Sequence, residues 1–131
     1  MEPQLEIYGA KACVYLKYAD DIHSLAAKLS SGLQIPGFQI EAREEAPHDL
    51  LGMSEVLGWE LWLEQTDKVP TFQYSLRMET ELSTAEIFHG RMHDLSPWLA
   101  RYISSICKLE SLVGGTRVVF IAGKPEELNW K

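Results

Sequence analysis

The spacing of apolar residues changes period several times along the chain, and each change marks a new element. Leu5 to Tyr18 reads as extended structure: Leu5 and Ile7 alternate with polar neighbours, and Gly9 is a point for a turn or bulge. Val14, Leu16 and Tyr18 then share one face, with Cys13, Tyr15 and Lys17 on the other. Asp20 and Asp21 open a helix, because either side chain can cap the free N–H groups and both suit the positive end of the helix dipole. Ile22, Leu25, Ala26 and Leu29 follow the i, i+3, i+4, i+7 spacing of one buried helical face. Ser31-Gly32 marks its end, and Pro36-Gly37 a loop.

Three period-2 segments come next. Phe38, Ile40 and Ala42 alternate with Gln39, Glu41 and Arg43. Trp59, Leu61 and Leu63 alternate with Glu60, Trp62 and Glu64, and Phe72, Tyr74, Leu76 and Met78 with Gln73, Ser75, Arg77 and Glu79. Such alternation belongs to a sheet with one buried and one wet face. Asp67 to Pro70 turns the second of these segments into the third. Ala46 to Gly58 has no clean period; a short helix around Leu50 to Leu57 is the reading, with Gly52 against it. Ser96, as N-cap, and Pro97 open a second helix whose inner stripe is Leu99, Tyr102, Ile103 and Ile106, running on to Leu109. Gly114-Gly115 is a turn, and Arg117 to Ala122, apolar on both faces through Val118–Ile121, reads as a last and central strand.

The pattern predicts a single α+β domain over residues 1–131, with an antiparallel or mixed sheet of about five strands and two helices packed on one face. A ferredoxin-like order is compatible with it, although strand order is not legible. At 131 residues and 14.9 kDa the chain is long enough to bury a core without metal or disulfide support. The N-terminus has two acids and no apolar run behind a cationic start, so no secretory signal is read, and no stretch nears the roughly 18 apolar residues of a membrane span. Cys13 and Cys107 form no CxxC pair and sit among apolar neighbours, which reads as two reduced cysteines in or near the core. These features together predict a cytoplasmic protein.

Charge narrows the partners. Asp plus Glu number 19 against 12 Lys plus Arg, for a formal net charge of −7. Phosphate backbones need a cationic surface, so direct nucleic-acid binding is disfavoured and a basic protein partner fits better; with no membrane span read, no membrane partner is expected. The wet sheet face sharpens this, because Glu60, Trp62 and Glu64 place an indole between two carboxylates where solvent belongs. Neighbouring strands add Glu41, Arg43 and Glu45, then Gln73, Ser75, Arg77 and Glu79. Trp and Arg dominate interface hot spots, and carboxylates steer a basic partner. The plain alternative is an indole covered by the loop after Ala46 or by Arg stems, with Arg43 and Arg77 paired to glutamates across strands.

Catalytic patterns are sparse. His89 and His93, four apart with Asp94 following, have metal-ligand spacing if helical, but Gly90 lies between them and no Glu follows the first His. They define the alternative of a small metal-dependent enzyme using His89, His93 and Asp94. His48-Asp49 is better read as a polar loop than as an oriented base, Ser54 has no nucleophile elbow, and Gly114-Gly115-Thr116 precedes a strand and not a helix. The expectation is a non-enzyme with no metal and no cofactor. Glu126 to Lys131 reads as an acidic, frayed tail in which Trp130 either packs back or lies free. A further alternative is a homo-oligomeric ligand-binding domain, a homodimer through the strand carrying Trp62.

Three stretches, Leu51 to Glu64, Phe72 to Thr80 and Ser96 to Tyr102, resemble small bacterial immunity proteins of polymorphic-toxin and contact-dependent growth inhibition systems. Together they cover well under half the chain, and the likeness is one of pattern without a shared catalytic motif. The resemblance implies a non-catalytic inhibitor that binds a cognate toxin domain in the cytosol and occludes its active site. It carries no binding residues across. On the chain's own residues, the expected contact face is Trp62 as anchor, Glu41, Glu60, Glu64 and Glu79 as charges, and Arg77 as a directional donor toward a basic nuclease domain.

Overall fold

A computed structural model of the protein describes residues 9–42, 50–56, 58–80 and 92–127. In chain order these form β1 (Gly9–Leu16), α1 (Ile22–Leu33), β2 (Gln39–Ala42), β3 (Leu50–Val56), β4 (Trp59–Gln65) and β5 (Tyr74–Thr80). There follow β6 (Met92–Asp94), α2 (Ser96–Ile106), β7 (Ser111–Val113), β8 (Val118–Ile121) and β9 (Lys124–Glu127). The class is α+β, but the described residues hold nine strands in one sheet, not about five. The order is β2-β3-β4-β5-β1-β7-β8-β9, with β6 beside β1. It is a meander from β2 to β5, then the first strand, then a second meander, and it is not ferredoxin-like. All pairings are antiparallel except β1 with β6.

One row of the sheet shows how the core is built. Ile40, Gly52, Leu63, Leu76, Val14 and Val113 stand opposite one another across β2, β3, β4, β5, β1 and β7. Leu63, Leu76 and Val14 are wholly inaccessible and join Leu25 and Leu29 of α1 and Leu99 and Ile103 of α2 in one cluster. Each buried leucine contributes roughly 2 kcal/mol of transfer free energy. The helices share out the sheet: α1 contacts β3 and β4, whereas α2 contacts β1, β7 and β8. They meet where Gly32 faces Cys107, and a Cβ at Gly32 would stand only 2.5 Å from Sγ.

Helix α1 starts as its sequence requires, with the Asp21 carboxylate accepting from the Ser24 N–H at 2.7 Å. It does not stop at Ser31-Gly32; it runs to Leu33 and ends on Gln34 in the left-handed region, φ 55°. The glycine there serves close helix contact. The start of α2 also differs from expectation. Leu95 is the N-cap, and Ser96 is the first helical residue. Its buried hydroxyl donates to Asp94 Oδ1 and accepts from the Cys13 N–H at 2.8 Å, which ties α2 to β1.

Four further readings are corrected. Leu50–Val56 is a strand and not a short helix, and Gly52 lets β3 lie close under Phe38 and Leu63, 3.4–3.6 Å from where a Cβ would be. Tyr102 and Ile106 are 39% and 48% exposed, because the buried stripe of α2 is Leu99, Ala100, Ile103 and Ser104. Strand β8 lies next to the edge strand β9, not at the centre, and Val118 is exposed. Part of the supposed frayed tail, Glu126-Glu127, belongs to β9. No helix among the described residues is long and apolar enough to cross a membrane.

Candidate functional site

The two faces of the sheet have opposite fates. One carries both helices. On the other, alternation places three parallel rows of side chains, because residues paired across antiparallel strands point the same way. The first row is Glu55, Glu60, Glu79 and Lys11 across β3, β4, β5 and β1. The second is Gln39, Met53, Trp62, Arg77 and Cys13. The third is Glu41, Glu64, Ser75, Tyr15, Leu112, Val119 and Glu126. All six residues singled out by the sequence, Glu41, Glu60, Trp62, Glu64, Arg77 and Glu79, stand on this face.

Their settings differ. Trp62 is half-buried, with Met53 on one side and Arg77 on the other. Arg77 Nη2 reaches diagonally to Glu64 Oε1 at 3.1 Å, so its guanidinium is held at the edge of the indole row. This is part of the plain alternative: Arg77 does pair across strands. It engages Glu64; in the neighbouring row Glu55, Glu60 and Glu79 stand directly opposite one another, with Lys11 opposite Glu79 at the end, so like charges meet at Glu55–Glu60 and Glu60–Glu79, which opposes folding and favours an incoming cation. Arg43, Glu45, His48, Asp49, His89 and Trp130 lie outside the described residues.

The far end of the same face is roofed. The β4–β5 connection folds over it, with Thr66 N–H donating to the Gln73 carbonyl and Phe72 N–H to that of Val69. Thr71, at φ 71°, swings the chain so that Phe72 does not continue the β5 alternation. Phe72 instead buries with Leu112 and Val119, flanked by Tyr15, Val69 and Ile121. The sequence pattern missed this, since Phe72 has the parity of Tyr74 and Leu76; the signal lay in the Asp67-Lys68-Val69-Pro70 turn, which interrupts it.

A polar notch of about 200 Å³ lies where β1 passes from β6 to β7, lined by Lys11, Cys13, Arg77, Glu79, Asp94 and Ser96. Burial pushes the Cys13 thiol above its ordinary pKa, against the pull of Arg77 and Lys68. The thiol is therefore neutral at physiological pH and a poor nucleophile. Asp94 Oδ1 accepts from both the N–H and the hydroxyl of Ser96, so this carboxylate is engaged in starting α2. His93 lies in β6 opposite Ala10, on a strand and not on the helix that i, i+4 metal ligation needs. Among the described residues no cluster of three His, Cys, Asp or Glu side chains is placed to hold a metal ion.

On the helix side, an apolar groove of about 400 Å³ runs between the end of α1 and the start of α2, walled by Leu33, Ile35, Trp98 and Tyr102. The strand carrying Trp62 has both edges taken, by β3 and β5, so a homodimer through that strand is limited to face-to-face contact. No family model matches the chain, and no curated protein or solved structure does either.

Proposed function

We propose that the chain is an immunity protein that binds a cognate bacterial toxin domain, a basic nuclease, in the cytoplasm and neutralises it by covering its active site. The carrying observation is the sheet row in which a half-buried Trp62 stands between Met53 and Arg77, next to the row where Glu55, Glu60 and Glu79 lie opposite one another. The −7 balance and the resemblance of the central strands to immunity proteins support the same reading. In this mechanism the carboxylates Glu41, Glu60, Glu64 and Glu79 accelerate encounter and set register. Trp62 is the desolvated anchor. Arg77, aligned by Glu64, donates a directional hydrogen bond to a partner carbonyl or carboxylate. The inhibitor itself performs no chemistry and contacts no nucleic acid directly.

The experiment is co-purification with the toxin domain encoded beside the gene, followed by a nuclease-protection assay. The wild-type chain protects. The combined variant Trp62→Ala, Glu60→Lys, Glu64→Lys loses capture and protection while remaining folded. Full protection by that variant rejects this face, and no capture by the wild-type chain rejects the function.

A further inference from the structure

The two ends of the sheet are built differently. At one end β9 reads Lys124-Pro125-Glu126-Glu127, wholly exposed. Lysine, proline and adjacent carboxylates are the devices that keep an edge strand from pairing with another chain. At the other end β2 reads Gln39-Ile40-Glu41-Ala42, with a single charge, no proline and no lysine. Among the described residues nothing pairs with its outer edge.

The sequence around Ile40 is complementary to itself. In an antiparallel pair of two copies centred on Ile40, with a two-fold axis normal to the sheet, each residue keeps its face. Ile40 then stands opposite Ile40, and Phe38 opposite Ala42, on the side where Phe38 and Ile40 already pack against the main core. On the open side Gln39 stands opposite Glu41, both exposed, so each carboxylate meets an amide and no like charges are opposed. The same operation on β9 would centre on Pro125, which has no N–H to give.

We propose that β2 is a self-association edge, through which two copies of the chain join their sheets into one and set two Trp62 faces on the same side. The pair is weak, because four-residue strands bury little area and each copy carries −7. Salt strengthens it by screening that repulsion, since the pairing contains no ion pair to lose. Salt weakens docking of a basic partner on the open face, so the two associations respond oppositely, and the edge stands or fails independently of the toxin reading.

The test is sedimentation equilibrium of the full chain over a wide concentration range, at low and high salt. Wild type shows a monomer–dimer equilibrium that tightens with salt. Gln39→Lys, which creates two Lys–Glu41 pairs at an exposed position, tightens the low-salt dimer. Gln39→Glu, which opposes two pairs of carboxylates, weakens it. The two variants differ in dimer Kd by about tenfold or more. A single monomeric species at every concentration overturns the proposal. So does a dimer whose Kd is the same in both variants, or one abolished by Glu126→Lys on β9.

Discussion

Two ends of one sheet face face the same solvent with different solutions. Where Tyr15, Leu112 and Val119 come up, the chain spends a loop to bury them under Val69 and Phe72. Where Met53, Trp62 and Arg77 come up, about three strands away, Met53 and Trp62 are only half-buried and Arg77 is exposed. An indole has more to gain from cover than a valine does. Glu55, Glu60 and Glu79 stand opposite one another beside it, which costs stability; under the proposed function that cost is recovered when a cationic partner docks.

That contrast sets the rank of effects. Phe72→Ala removes the roof and costs about 3 kcal/mol or more in urea unfolding, because the ring is almost wholly buried among Leu112 and Val119. A loss under 1 kcal/mol would make the roof dispensable and erase the difference between the ends. Trp62→Ala behaves the other way: unfolding free energy falls by about 1 kcal/mol or less, whereas under the proposed function the affinity for the toxin domain, measured by calorimetry, falls by about thirtyfold, as at a hot spot. Breaking the glutamate row with Glu60→Lys raises stability by a few tenths of a kcal/mol at low ionic strength, an increase that high salt abolishes, while slowing toxin association in stopped flow. Arg77→Ala, which removes an ion pair half open to solvent, lowers the urea midpoint by less than 1 kcal/mol equivalent.

The smallest effect is absent at neutral pH. Burial raises the pKa of Cys13, so the unfolded chain ionises its thiol first. The stabilising contribution is complete below the unfolded pKa and is lost as pH rises from there toward the folded value. Unfolding free energy therefore declines above about pH 9, and Cys13→Ser makes that decline shallower, since a hydroxyl does not titrate there. Burial of Cys107 acts in the same sense, so the slope in Cys13→Ser does not vanish.

Legibility followed locality. The α1 face, its Asp21 cap and the alternations of β4 and β5 depend on neighbours within a turn or a strand, and they were readable residue by residue. The shared face of Glu60, Trp62, Glu64, Arg77 and Glu79 followed from the same alternation. What the sequence hid was set by distant partners. Strand β3 was obscured because Gly52 is small for the sake of Phe38 and Leu63, and a glycine carries no hydrophobic signal. The short strands β6, β7 and β9 have three or four residues each, too few to show a period. Helix α2 misled because Trp98, Tyr102 and Ile106 make an apolar ridge that faces outward beside the true stripe. Phe72 has the parity of Tyr74 and Leu76, and only the Asp67–Pro70 turn before it signals that it leaves their face.

The first strand among the described residues lies in the middle of the sheet, and its partners come late: β5 on one side, β6 and β7 sharing the other. Val14 waits for Leu76 and then for Val113, nearly a hundred residues downstream. During synthesis, then, β1 leaves the ribosome long before either neighbour does. High contact order of this kind makes folding slow and leaves apolar β1 waiting in the nascent chain, where it is a natural client for a chaperone.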